Sequence, residues 1–299
     1  MSTSSSPGAR RGIAPDAATF VDAPSRGVVA LLRQGISDLT TRLHLIRYLV
    51  SAELKRTHAD TAAGTLWWIL DPILQMGVYW VLVAVIFQRT TPDILLFLFV
   101  GILPWKWFAT TLAETSTCIT SRQGLIRQLQ FPKLVLPAAA TAAGTVSFAF
   151  GFVALALLYL LYPHRLSYWI LALPVIAAVQ FVFTLALGIM LAALNTFFRD
   201  VQNVLRHATR LWMYLSPVLY SLDQLEGQDT AKKVLGLNPM AWILSAYRNA
   251  LYGTEKVGAH GIMPDWPPLF GVLGISVLLL GVAIILFKRA EPSFARILA

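Results

Sequence analysis

Side chains able to do chemistry are few in this 299-residue chain, and their arrangement excludes most catalysis. The five histidines (His44, His58, His164, His207 and His260) are scattered and show no metal-ligand spacing. Cys118 is the single cysteine, so no internal disulfide can form. No GxxxxGK[ST] stretch is present to cradle phosphates, so the chain cannot hydrolyse ATP by itself. HExxH, CxxC and GxSxG are absent too. Inside the long apolar runs the acidic residues are Asp71 and Glu114, each near one end of its run. A proton-coupled carrier buries carboxylates near the bilayer midplane, and none is evident. No metal or cofactor is expected in this chain. Energy for any transport must come from elsewhere.

The elements that position these residues follow from hydropathy. The chain is 57% hydrophobic and 13% charged, with mean hydropathy +0.64, against about a quarter charged in a soluble domain. Residues 134–162 and 166–198 contain no Asp, Glu, Lys or Arg. About 20 apolar residues in a helix cross a hydrocarbon core, and backbone amides in lipid must bond within their own segment. The expected fold is an all-α integral membrane protein with six transmembrane helices, near 64–87, 94–117, 135–162, 168–197, 203–222 and 267–287. The fifth carries Arg206, His207 and Arg210 in its first half, and Pro217 should kink it.

Basic residues orient the spans. Arg10, Arg11, Arg26, Arg33, Arg42, Arg47, Lys55 and Arg56 precede the first span. Arg122, Arg127 and Lys133 follow the second, Arg199, Arg206 and Arg210 follow the fourth, and Lys288, Arg289 and Arg296 follow the last. The opposite side holds Arg89, Arg165, Lys232, Lys233, Arg248 and Lys256, and Lys106 lies within a span. Both termini are therefore expected in the cytoplasm. The net charge of +9 is mostly this bias, which argues against a nucleic-acid partner. Residues 1–30 read as a disordered cytoplasmic tail, with no apolar core of a signal peptide. Residues 31–60 read as an interface helix, 64–288 as the six-span domain and 289–299 as a cytoplasmic tail.

Three segments are not spans. Leu32, Ile36, Leu39, Leu43, Ile46, Val50 and Leu54 recur at steps of three or four, making a basic amphipathic helix over 31–56. It is either a lipid-surface anchor or a docking face for a partner. Residues 119–133 form a polar loop with a short helical pattern, which Ser121 could cap and Pro132 should end. It is a plain connector, or is longer than a connector needs to be for a reason. Residues 234–252 carry a helix start at Asn238-Pro239 and a stop at Gly253, with an apolar part too short to cross. A re-entrant helix between the fifth and sixth spans and an amphipathic outer-leaflet helix fit equally.

Four motifs, in order, resemble the permease subunit of ABC exporters for lipid-linked polysaccharides, the group that exports O-antigen, teichoic acid and actinobacterial galactan. The first is Glu53-Leu54-Lys55 with Gly64-Thr65-Leu66-Trp67-Trp68 and Asp71-Pro72. The second runs from Gly124-Leu125-Ile126-Arg127 through Phe131-Pro132-Lys133 to Leu136-Pro137. The third is Phe197-Phe198-Arg199-Asp200-Val201 leading to Ser216-Pro217-Val218, and the fourth is Asn238-Pro239-Met240 through Tyr247-Arg248 to Gly253. The resemblance covers about residues 30–290. One departure is Thr57-His58-Ala59, where the family often has a basic-Tyr-basic triplet. The Trp67-Trp68 and Asp71-Pro72 wording most resembles the galactan branch.

The resemblance implies a homodimer in a bacterial inner (plasma) membrane, with two copies of a separate nucleotide-binding ATPase that hold ATP and Mg. Ser121, Arg122, Gln123, Gly124, Leu125, Ile126, Arg127 and Gln128 would form the ATPase-coupling helix. Lys55, Arg56, Arg199, Arg206 and Arg210 would meet the pyrophosphate head of a polyprenyl-linked glycan, or are simply positive-inside charge. Trp67, Trp68, Tyr79, Trp80, Trp212, Tyr214 and Tyr220 would line the glycan channel, or belong to aromatic belts. Asn238, Pro239, Met240, Trp242, Tyr247 and Arg248 would form a periplasmic gate. Trp105 and Trp107 are expected in a belt, with Lys106 snorkelling between them. The alternative within transport is an ABC permease for a drug or small lipid.

Overall fold

The computed structural model describes residues 27–57, 64–86, 88, 93–221, 235–254 and 260–297. The expected tail over 1–26, the His58-Ala59 departure, the ends of the first and fifth expected spans at 87 and 222, and residues 298–299 lie outside the described residues. Every regular element described is helical. In chain order these are α1 (Val28–Thr41), α2 (Leu43–Thr57), α3 (Trp67–Trp80, continued by π-turns at Val81–Ile86), α4 (Ile94–Thr117), α5 (Gln123–Gln128), α6 (Val135–Leu161), α7 (Leu173–Phe197), α8 (Val201–Tyr214), α9 (Pro239–Leu251) and α10 (Trp266–Ile297).

Five helices are long and apolar enough to cross a membrane: Trp67–Ile86, Ile94–Thr117, Val135–Leu161, Tyr168–Phe197 and Trp266–Phe294. The third and fourth end close to the charge-free runs 134–162 and 166–198; the first two carry Asp71, Lys106 and Glu114, and the last runs on past its expected end at 287. The fifth expected span differs. Helix α8 stops at Tyr214, and residues 215–220 turn back on themselves. Pro217 accounts for part of this, since the residue before a proline is pushed out of the helical region. Only 14 residues remain helical, about 21 Å, and they include Arg206, His207 and Arg210.

Helix α4 is the enclosed span, 72% buried, whereas α3 is only 17% buried and leaves a flank for lipid or another chain. Trp105 and Trp107 are buried in the core around α4, so they are not belt residues. Trp105 packs edge-on to Trp212, and Trp107 stacks on Phe148 at 4.4 Å. Lys106 does not snorkel; its Nζ sits 3.1 Å from Asp71 Oδ2 of α3.

The surface helix is two helices broken at Arg42, whose φ/ψ of −104°/27° leaves the α region. Its inward face is set by packing on neighbouring helices. Leu31, Gly35, Leu49 and Glu53 are buried, while Ile36 and Leu43 of the expected stripe are exposed. Helix α1 lies on α10 and α2 on α6. A second apolar cluster joins Leu49, Ile126, Leu134, Ile189 and Phe287 there. Lys288, also buried, pairs with Asp38 of α1 and with Glu291 at 2.6 Å.

Gly101 of α4 marks the closest approach of the 215–220 turn. A Cβ there would collide with the Val218 carbonyl oxygen, which is backbone and cannot swing aside. Gly101→Val is expected to lower stability by about 1–3 kcal/mol through overpacking, read as an earlier thermal transition in detergent. An unchanged transition would show that the turn is not seated on α4.

Candidate functional site

At the end carrying α1 and α2, the expected coupling segment is a short helix held from below. Helix α5 starts at Gln123, with Arg122 as N-cap residue and no side-chain cap bond, so Ser121 does not cap it. It ends at Gln128, where Leu129 turns extended, three residues before Pro132 reaches its own position. Ile126 is buried against the second cluster. Ser121, Gly124 and Gln128 are exposed, and Gln123 and Leu125 half-buried, so one edge faces outward. The Arg127 side chain lies outside the described residues.

Arg122 is not a free surface cation. Its Nη2 donates to Glu53 Oε2 of α2, and Glu53 is itself buried. Arg56 Nη2 donates to the other oxygen, Oε1, at 2.7 Å, and that hydrogen bond with its charge raises the Arg56 pKa. One carboxylate thus clamps the approach to α5 onto α2. Nearby Cys118 is inert, because burial pushes its thiol up to about 12.

The remaining basic candidates do not form one cluster. Arg206 and Arg210 share a face of α8 at four-residue spacing, and both are exposed, as is Arg199 on the approach. Lys55 and Arg56 are exposed at the end of α2. Among the described residues, Lys55, Arg199, Arg206 and Arg210 form no ion pair within 4.0 Å.

The aromatic candidates divide between structure and surface. Trp212 packs on Phe108 at 5.1 Å and on Phe183, and its Nε1 donates to Asn238 Oδ1 at 2.9 Å. Trp68 lies against Phe150 at 4.7 Å. Tyr79 Oη meets Met213 Sδ at 3.4 Å, tying α3 to α8. Trp80 and Tyr214 are exposed, and Trp67 and Tyr220 half-buried.

The expected gate segment is the most ordered of the four. Asn238 caps α9, accepting from Met240 N at 3.0 Å, and its Nδ2 donates to Ser216 Oγ at 2.8 Å and Leu215 O at 3.1 Å. Pro239 supplies the preset first turn. Met240 is fully buried, and Trp242 Nε1 donates to Gly236 O. Tyr247 is buried beside Phe148, and its hydroxyl has no partner among the described residues. Arg248 is also buried; it donates to Tyr220 O at 2.6 Å and Val218 O at 3.2 Å and lies 4.1 Å over the Phe97 ring. It is a strut for the 215–220 turn. Gly253 ends the segment at φ +80°, where a Cβ would strike the His260 carbonyl.

Beyond Gly253 is a polar knot that sequence reading missed. Arg165 has no exposed side-chain surface, yet its Nε donates to Asp93 Oδ2 at 2.6 Å and its Nη1 to Thr254 O at 2.7 Å. Its guanidinium covers the Tyr252 ring at 4.2 Å, and His164 Nε2 lies 2.8 Å from the same Asp93 oxygen. Burial alone would raise the Asp93 pKa; the hydrogen bonds and charges of Arg165 and His164 outweigh it and hold the pKa below the usual carboxylate value. The Asp93 and Arg165 positions are separated by 72 residues, so no local pattern signals the pair. The only sequence hint is a lone arginine at the end of a charge-free run.

The pattern of the ABC-2 type transporter family matches residues 44–252. That range takes in α3 through α9 and all of α2 but its first residue; α1 and α10 lie outside it. The chain is 32% identical over 251 residues to the O-antigen export system permease protein RfbA of Myxococcus xanthus, covering 84% of this chain and 94% of that one. It is 25% identical over 256 residues to an O-antigen export system permease protein RfbA of Klebsiella pneumoniae, covering 85% and 95%.

Proposed function

The chain belongs to the ABC-2 type transporter family, and on that premise we propose that it is the channel-forming permease subunit of an ATP-driven polysaccharide exporter. The carrying observation is the likeness to O-antigen export permeases over nearly their whole length. Five long apolar helices support a multi-pass membrane location. The membrane is the bacterial inner membrane, with both termini in the cytoplasm, in keeping with the distribution of Lys and Arg.

The cargo is a glycan on a polyprenyl pyrophosphate. Exposed Arg206 and Arg210 on one face of α8 suit a pyrophosphate. Two copies of the chain enclose the path along α3 and α8. Support comes from the apolar residues these helices leave uncovered, among them Leu74, Val78 and Val85 on α3 and Val204 and Leu211 on α8. Helix α9 is re-entrant: it starts beside Trp212, in the interior, and ends at Tyr252 beside the Arg165 knot. Two copies of a partner ATPase dock on the exposed edge of α5 and supply the energy. In this arrangement the permease itself breaks no bond.

Deleting the gene in its source organism should remove the surface polysaccharide and leave it accumulating inside, with restoration by the intact gene. Normal surface polysaccharide in the deletion strain would overturn the proposal. Arg206→Gln/Arg210→Gln is expected to reduce export at least about tenfold, since a charge-assisted hydrogen bond is worth about 1.5–3 kcal/mol and 1.4 kcal/mol is a factor of ten. Near-normal export from a membrane-inserted double variant would remove these residues from the headgroup site.

A further inference from the structure

The seam between α3, α4 and α6 holds a partly open cavity of about 120 Å³, which takes in Trp68 of the expected channel aromatics together with groups to which the export reading gives no role. Its polar lining is Asp71, Lys106, Thr110, Glu114 and Ser147. Lys106 is twelve residues into the 24-residue α4, so the Asp71–Lys106 pair sits about 18 Å along the helix, halfway through. Charged groups at such depth are costly and mark function more often than support. An ion pair that only stapled α3 to α4 would need no space around it.

The rest of the lining points to a ligand class. Trp107 and Phe148 form a stacked pair along one wall, and Trp68 lies on the other side. The buried Trp107 Nε1 has no hydrogen-bond partner among the described residues. Thr110 and Ser147 spend their hydroxyl protons on their own helices, at Lys106 O and Ala143 O, which leaves lone pairs free to accept. Acceptors are thus two carboxyl groups and two hydroxyls; donors are an ammonium and an indole N–H. A lipid chain needs none of these, and a lone phosphate would face two carboxyl groups. A sugar ring offers a hydroxyl on nearly every carbon, each both donor and acceptor, and apolar C–H faces that pack on aromatic walls. The volume of about 120 Å³ is less than the ~150 Å³ that takes one benzene, so the cavity admits one edge of a sugar ring while the rest of the ring lies in its open side.

We propose that this cavity is a binding subsite for one edge of an uncharged pyranose unit of the exported polysaccharide, hydrogen-bonded to the Asp71–Lys106 pair and packed on the Trp107 wall. The proposal rests on the polysaccharide-export reading, which the surface-polysaccharide assay above tests separately. Helix α3 carries Asp71 on its little-buried flank, and α8 meets α3 further along, at Tyr79. Asp71 and Lys106 are therefore specificity-determining residues beside the α3–α8 path.

The test is protection of an introduced thiol in the purified full chain in lipid nanodiscs. Ser147→Cys places a thiol in the lining, and the native Cys118, buried with its pKa pushed up to about 12, stays silent. Methyl glycosides of glucose, galactose and mannose, and N-acetylglucosamine, are titrated over about 1–100 mM, where a weak single-sugar site saturates. Sorbitol is the control for viscosity and open-chain hydroxyls. At least one pyranoside should slow labelling threefold or more, saturably, where sorbitol does not, and Asp71→Asn/Lys106→Gln should abolish that protection. No protection beyond sorbitol overturns the proposal, as does protection that survives the double variant. Labelling blocked in nanodiscs without sugar and released by delipidation would make the occupant a lipid and also overturn it. If Ser147→Cys does not fold, Thr110→Cys takes its place, judged by the same outcomes.

Discussion

Arg165→Met is expected to destabilise the protein by about 3–5 kcal/mol, the largest stability loss of any single change argued for this chain. The side chain has no exposed surface and its partner Asp93 only 17%, so the methionine variant leaves a partly buried carboxylate without its main cation. Two more bonds go with it, to Tyr252 O and Thr254 O, which fasten the end of α9. Differential scanning in detergent should show a melting point lower by roughly 10 °C or more. Asp93→Asn should be milder, because the amide still accepts from Arg165. The pH dependence has a definite sign. The folded-state pKa of Asp93 is depressed, so its stabilisation is present above the unfolded value near 4 and is lost as pH falls through the folded value. The gap between wild type and Asp93→Asn should therefore close in acid. A pH-independent gap, or an Arg165→Met protein as stable as wild type, would remove the knot from the account of how α9 is held.

What the sequence made legible here was whatever a single helix decides for itself. Runs free of Asp, Glu, Lys and Arg marked the third and fourth spans and most of the last, and apolar stretches interrupted only by Asp71, Lys106 and Glu114 marked the first two. The helices are Trp67–Ile86, Ile94–Thr117, Val135–Leu161, Tyr168–Phe197 and Trp266–Phe294, the last running past its expected end at 287. The Asn238-Pro239 start and Gly253 stop of α9 were readable because capping and positive φ are local demands of the backbone. What escaped was set by pairs far apart in the chain. The inward face of α1 depends on Gly35 meeting Ile284, and no periodicity within residues 31–56 contains that contact. Lys106 looked like a snorkelling lysine because Asp71, 35 positions earlier, was not known to lie opposite. Arg248 gave no local sign of the carbonyls that the turn at 215–220 supplies to it. The fifth expected span is described only as far as Ser221, and its helix is shorter than expected for a different reason. Its apolar half continues past Tyr214, but Pro217 and the bonds from Asn238 to Leu215 and Ser216 favour a turn over another stretch of helix.

Arg122→Glu is expected to uncouple the permease from its ATPase by moving α5 rather than by removing a contact. In the folded chain Arg122 is spent on Glu53, whose side chain is 6% exposed, and Ile126 is the apolar peg next to it. Reversal sets two carboxylates against each other at a buried position, with Arg56 left to serve both. Breaking such a pair costs about 3–5 kcal/mol when fully buried and less here, since the Arg122 side chain is 18% exposed. Even about 1.4 kcal/mol would lower partner retention tenfold. Pull-down of the ATPase by tagged permease should show that loss while the chain stays in the membrane. The decisive variant is the charge swap, Glu53→Arg/Arg122→Glu. If Arg122 anchors α5, the swap restores the pair and recovers much of the binding. If Arg122 instead touches the ATPase, the swap stays as defective as the single reversal. A single reversal that retains the complex in full would sink both. The swap also separates α2 from α5 in function: recovery means that α2 serves as the floor on which the coupling helix rests, so force from the ATPase enters the membrane domain through the Glu53–Arg122 contact and the packing of α2 on α6.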